Sequence, residues 1–315
     1  MTRPAADRDI DAERTFLRGR SAPIEYIART RAYYEALGYP AYRWAQNDDV
    51  PFTRLAKPLA AARLALITTA APFDPARGDQ GPDAPYNAGA KFYTVYERPR
   101  QPPPDLRISH VAYDRTHTRA ADPNTWLPLR ALEHALAEGR IGALADRVIG
   151  MPTDRSQAKT LARDAPAVLR ACNAQRVDAA LLVPNCPVCH QSTSLVARHL
   201  EANGIATVVM GCALDIVARC GVARFHFSDF PLGTSAGKPF DEPSQRATLA
   251  GALDLLESAT GPRTIVVSPQ HWADDDRWKD DFLNIDRLTA YDRQRLRDEF
   301  DAQKVIAKER KGTAR

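Results

Sequence analysis

Ala179-Ala180-Leu181-Leu182-Val183-Pro184-Asn185-Cys186-Pro187-Val188-Cys189-His190 is the stretch on which the reading of this chain turns. An aliphatic run with no alternating polar positions has the pattern of a strand buried on both faces of a parallel sheet, and Pro184-Asn185 ends it. Residues 193–200 read as the helix that follows. Cys186 and Cys189 therefore stand where strand gives way to helix. In open α/β sheets ligands bind beyond the carboxyl ends of the strands, and the positive end of a helix stabilises an anion. Cys186 is thus the best nucleophile candidate in the sequence. Cys189 is placed to resolve an adduct, and His190 is the nearest candidate cation to lower the thiol pKa.

Several chemistries fit this motif. C-x-x-C inside a strand-then-helix pattern points first to a reactive dithiol. Cys186, Cys189 and His190 also supply thiolate and imidazole for zinc or another soft ion, or for a redox-sensing module, although no second C-x-x-C completes a structural set. The spelling C-x-x-C-H matches the attachment pattern of c-type haem, which would require export and an accessible loop. Two inert, half-buried thiols are the plain alternative. Cys172 falls inside a helix and reads as core, and the spacing of Cys212 and Cys220 is too wide to add to a metal set.

The chain has 315 residues, enough for two domains or one large α/β unit. Basic and acidic residues nearly balance, 43 against 39, and no basic run is interleaved with aromatics, so nothing marks a nucleic-acid partner. No stretch has the apolar length needed to span a bilayer, and residues 1–20 lack the apolar core of a secretory signal. The expectation is a cytoplasmic protein with reduced cysteines. Prolines number 24 and glycines 16 against an apolar fraction of 44%, which suggests stiff loops around a real core.

From residue 151 onward strands and helices alternate with short joints: helix 156–173, strand 179–183, helix 193–202, strand 205–210, strand 224–227, helix 243–258 and strand 264–267. Residues 212–220 suit a further short helix. Before it lie strands at 63–69, 106–113 and 147–151, a helix from Leu127 to Gly139, and a Pro/Gly/Asp-rich loop at 70–90 of a length that is often functional. A helix at 24–37 stops at Gly38, and residues 39–58 look like a wrapping arm. The predicted fold class is α/β: two Rossmann-like parallel-sheet halves, 61–150 and 151–270, with an N-terminal helical arm (1–60) and a C-terminal helical tail (271–315) anchored by Trp272 and Trp278. Residues 1–20 read as loose or marginally helical, and 308–315 as a frayed end.

Val183-Pro-Asn-Cys-Pro-Val-Cys189, Val208-Val-Met-Gly211 through Phe230-Pro-Leu-Gly233, and His110-Val-Ala-Tyr-Asp114 with Asp122-Pro-Asn124 together resemble the selenoprotein B component of the glycine, sarcosine and betaine reductases and its relative in D-proline reductase. The resemblance covers roughly residues 20–270. It places Cys186 at the family's selenocysteine and Cys189 at the cysteine that follows. Ser192 stands where the family pattern has a further cysteine. The resemblance implies reductive cleavage of a C–N, C–S or similar bond in a small amino-acid-like substrate. It also implies an external thiol reductant such as thioredoxin, a pyruvoyl-bearing partner subunit and a homo-oligomeric assembly.

Other candidates surround the cysteines. Thr68 and Thr69 end the first strand. His110, Asp114, His117, Asp122 and Asn124 gather after the second and could position a substrate amine or act as acid and base; a polar turn capping the helix at Leu127 is the alternative. Gly211 and Cys212 follow the Val208 strand and could line the same crevice. No Gly-rich phosphate motif occurs, so no bound nucleotide or other cofactor is expected.

Overall fold

The aliphatic runs become neighbouring strands of one sheet. A computed structural model of the chain describes residues 21–108, 110–153 and 155–313; the reading of residues 1–20 and of the last two residues lies outside it. Strand β1 (Arg63–Thr68) is central. In chain order follow the short strand β2 (Ala71–Pro72), β3 (Tyr96–Pro99), β4 (Leu106–Arg107), helix α1 of the N-terminal arm having come before at Tyr26–Ala36, and helix α2 (Leu129–Ala137). Then come β5 (Ala143–Leu144), β6 (Arg147–Gly150), α3 (Ala165–Ala174, entered through a π-helical turn at Thr160–Asp164), β7 (Ala179–Val183), α4 (Pro187–Glu201) and β8 (Ala206–Gly211). The chain continues through α5 (Leu214–Cys220), β9 (Arg224–Phe227), α6 (Glu242–Ser258), β10 (Thr264–Val267) and the tail helix α7 (Ala290–Thr313).

The main sheet runs β10-β9-β8-β7-β1-β6-β3, with β5 also on β1. All its pairings are parallel except the edge pair β3–β6. The two expected halves therefore do not carry a sheet each. Strand β1, from the first, pairs with β7, from the second, in register from Leu64↔Ala179 to Thr68↔Val183. Apolar residues on both faces of β1 and β7 explain this, because each must be covered on both faces and flanked on both edges. Leu64, Leu66, Leu181 and Val183 join a core with α2 and α6. Their neighbours Ala65, Ile67, Ala180 and Leu182 join the opposite core with α3, α4 and α5. Leu181 and Leu182 are fully buried, each contributing about 2 kcal/mol.

Two sequence expectations need correction. The strand expected over 106–113 stops at Arg107, which pairs antiparallel with Ala71. Beyond it the Arg115 guanidinium takes the carbonyls of His110 (2.7 Å) and Val111 (3.1 Å), so this backbone is satisfied without a strand partner. The helix expected from Thr193 begins at Pro187, since proline at the first helical position gives up only an N–H that has no partner there. The strand β3, unheralded in the sequence, is a sheet edge ending in Pro99, where proline is tolerated.

Residues 39–58 wrap the face of α4 as an arm. Ala45 N–H donates to Gln191 Oε1 (2.6 Å), and Thr53 N–H to Glu201 Oε2 (2.5 Å). Glu201 is itself paired with Arg224 at 3.0 Å, both almost fully buried. Trp278 is buried in a cluster against which Trp272 packs, its ring on Phe230. Helix α7 returns over α1, where Phe300 meets Tyr34 and Tyr39. Among the described residues no helix is long and apolar enough to cross a membrane.

Candidate functional site

The site follows from strand order. Chain progression steps from β1 to β6 on one side, whereas β7, β8, β9 and β10 extend on the other. The carboxyl ends of β1 and β7 thus bound the crevice where the order reverses, the place where open α/β sheets take ligands. Thr69 follows β1 at this crevice and Asn185-Cys186 follows β7. Asn185 Nδ2 donates to Thr69 Oγ1 (3.0 Å) and bridges the two strand ends, while its Oδ1 is buried without a partner.

Cys186 is the N-cap of α4. Its extended backbone (φ −137°, ψ 171°) turns the sulfur back to accept the Cys189 N–H at 3.3 Å. Helix geometry therefore stacks the two thiols, N-cap on N3, at the positive end of the helix. His110, arriving on the loop after β4, completes the group: one ligand atom from each of His110, Cys186 and Cys189 lies within 4.8 Å of the others. The His110 Nδ1 is buried with no hydrogen-bond partner among the described residues.

One proton serves both sulfurs. Burial, then the contact with Cys189, push Cys186 well above the ordinary thiol range, against the pull of the Cys189 and Val188 amides. Burial acts the same way on Cys189. There the hydrogen bond from Cys186, the His110 ring and the Thr69 hydroxyl outweigh it and hold Cys189 well below that range. The pair thus loses its first proton readily and keeps its second, because two thiolates in contact repel. The charge sits deeper than the sequence suggested, on Cys189, which is fully buried; Cys186 is 4% exposed and forms part of a cavity wall.

His190 is not the expected cation. One turn beyond Cys186, its Nδ1–H donates to the Cys186 carbonyl (2.8 Å) and its Nε2 accepts the Cys212 N–H (2.9 Å). Burial lowers its pKa to about 4, so it is neutral. It ties the start of α4 to the end of β8, with both nitrogens spent. The soft-ion set read from the motif is corrected accordingly, since His110 stands in the place given to His190.

The remaining candidates divide. Thr69 and His110 are at the thiols. Thr68 Oγ1 instead donates to the Trp126 carbonyl (3.0 Å). Asp114 caps its own turn by accepting the Thr116 and His117 amides and holds His117 Nδ1, whose Nε2 meets Asp281 at 3.1 Å. Asp122 accepts from Asn124, Phe240 and Gln245, so Asp122 and Asn124 form a braced turn before α2. Gly211 packs under the His190 ring, and Cys212 is buried beside Ser235, its thiol pushed up to about 12 by that burial.

Above Cys186 and His110 opens a cavity of about 870 Å³. Its walls come from places the sequence reading left aside: Tyr34 on α1, Tyr86 in the loop at 70–90 and Lys91 just beyond it, Arg155 after β6, and Phe300 and Lys304 on α7. Only the length of that loop hinted at any of this.

Neither a family model nor a solved structure matches the chain. A curated relative does: the D-proline reductase subunit gamma of Acetoanaerobium sticklandii, 30% identical over 169 residues. The alignment takes in 53% of this chain and 69% of the relative, a reach and identity by which the chain belongs to the family of D-proline reductase subunit gamma.

Proposed function

We propose that this chain is the thiol-bearing component of a reductase that cleaves a bond in a small molecule. The observation that carries the reading is the Cys186–Cys189 contact at the start of α4, beneath a cavity that Cys186 reaches. Transfer of the shared proton from Cys186 to Cys189 moves the charge to the sulfur that lines the cavity, and the Cys186 thiolate attacks an electrophilic atom of R–X and expels X⁻, forming R–S–Cys186. Cys189, deprotonated and beside His110, then attacks the Cys186 sulfur. The S–S bond forms as the R–S bond breaks, and R leaves with the electron pair and takes a proton as R–H. R–X gains two electrons, the dithiol loses two, and an external dithiol protein of the thioredoxin class restores it.

The family relation supports a reductase and a partner subunit, because the relative is one subunit of its enzyme. A C–N or C–S bond, as in the glycine, sarcosine, betaine or D-proline reductases, is the bond class this reading favours. The pyruvoyl group implied by the resemblance belongs to a partner subunit, and no step above runs through it. A cytoplasmic setting and assembly into a homo-oligomer belong to the same proposal, since the cycle requires a reducing compartment.

Trapping tests the mechanism. Cys189→Ser should accumulate a substrate adduct on Cys186 visible by intact mass, and Cys186→Ser should show neither adduct nor turnover. Full activity in both variants refutes it. A second reading has its own support: His110, Cys186 and Cys189 present a thiolate and an unpartnered imidazole nitrogen within ligand reach. Stoichiometric zinc in protein purified without added metal, lost in both His110→Ala and Cys186→Ser, favours a soft-ion site over the dithiol.

A further inference from the structure

The cavity over Cys186 differs in size and lining from what a free amino acid requires. Its volume of about 870 Å³ lies toward the upper end of the roughly 300–1,000 Å³ that holds ligands of drug size. Arg43, Lys91, Arg155 and Lys304 line it, and among the described residues no Asp or Glu does. An amino-acid site needs an acceptor for the ammonium as well as a cation for the carboxylate. Here no carboxylate among the described lining residues offers the first, and tyrosine, tryptophan and phenylalanine rings line the cavity with the cations and Cys186.

Arg155 is the built part of that lining. Its guanidinium lies over the rings of Tyr34 (5.4 Å) and Phe300 (5.3 Å). One N–H goes to the Tyr34 hydroxyl at 3.3 Å, and no carboxylate among the described residues pairs with it. A fork packed against two adjoining rings keeps N–H groups for bidentate capture of a carboxylate or similar oxyanion. Tyr34, Tyr86, Arg155 and Cys186 line one cavity, so cation and sulfur face the same space. Burial holds both phenols above the ordinary tyrosine range and therefore neutral, so the charged side chains of the described lining are its cations.

We infer that the substrate is an anionic molecule with an aromatic or other planar apolar body, its oxyanion held at Arg155 and its electrophilic atom presented to Cys186. This rests on the thiol-reductase reading and departs from the amino-acid-like substrate that the family resemblance implies. Tyr34, on α1, and Phe300, on α7, are then specificity-determining residues, which explains why both terminal extensions fold back over a thiol site lodged in the sheet.

Binding can be measured apart from thiol chemistry, in the full chain carrying Cys186→Ser, by calorimetry with 2-naphthoate, 2-naphthamide and D-proline. We expect the naphthoate to bind at least tenfold more tightly than its neutral amide, Arg155→Gln to close that gap, and D-proline at equal concentration not to displace it. Should Arg155→Gln fail to fold, Phe300→Leu, which removes one of the two rings over the guanidinium, must weaken naphthoate more than naphthamide. Equal affinity for acid and amide, or displacement by D-proline, overturns the inference. Neither result touches the adduct-trapping experiment, so this proposal and the dithiol mechanism fail separately.

Discussion

Replacing Gly211 by alanine would test whether this glycine serves the substrate or the frame behind the thiols. A Cβ built there meets His190 Nε2 at 2.6 Å, His190 Cδ2 at 2.8 Å and Pro184 Cγ at 3.1 Å. The ring cannot swing aside cheaply, because it is fully buried and bonded at both nitrogens. Overpacking of this kind costs about 1–3 kcal/mol. Pushing Nε2 off the Cys212 amide strands a buried donor for about 1–3 kcal/mol more. Gly211→Ala should therefore lose about 2–6 kcal/mol in equilibrium urea unfolding, with the slope unchanged. It should also slow iodoacetamide labelling of Cys186, since His190 fixes the carbonyl at the start of α4. A loss below about 0.5 kcal/mol refutes the reasoning. So does strict additivity with His190→Ala, because removing the ring should relieve the clash and make the double variant less damaged than the sum.

Other outcomes follow from the same geometry. A short iodoacetamide pulse at neutral pH should label Cys186, the sulfur that lines the cavity, ahead of Cys172, Cys189, Cys212 and Cys220, with a midpoint set by the first proton lost from the Cys186–Cys189 pair and so below that of a free thiol, about 8.5; peptide mapping with Cys189 labelled first would reverse the two roles. His110→Ala should raise that midpoint, because it removes a group that stabilises the Cys189 thiolate, and an unchanged labelling profile would take His110 out of the site. Glu201→Gln leaves Arg224 buried without its counter-charge and should cost about 3–5 kcal/mol in urea unfolding; a neutral effect would mean that the Thr53 and Thr207 hydrogen bonds suffice. Burial lowers His190 and His226 from 6.5 to about 4. Between those values the unfolded chain binds more protons than the folded one, so stability is complete above pH 6.5 and falls as pH drops toward 4, by up to about 3 kcal/mol for each histidine. Urea unfolding across this range should show the slope, and His226→Gln should lessen it.

The parallel part of the sheet was legible where a strand carries its signal locally, and the edge strand β3 was not. Ala179–Val183, Arg224–Phe227 and Thr264–Val267 form as read, the first an apolar run covered on both faces and the last a partly exposed edge of the sheet. Two cysteines where a strand gives way to a helix were legible for the same reason, since the spacing from N-cap to third helical residue is a property of a few neighbouring residues. Which histidine stands beside them was not. His190 is nearest in sequence, yet the helix turns it toward its own backbone. His110 comes from an irregular loop that has no periodicity and is held in place by Arg115. The cavity is still less local, with Tyr34, Arg155 and Phe300 carried on three separate segments and brought together only where α7 closes over α1. Sequence period fixes what a residue packs against within its own element; contacts between elements depend on how the chain closes, and that is where the choice of imidazole and the cationic aromatic cavity were decided.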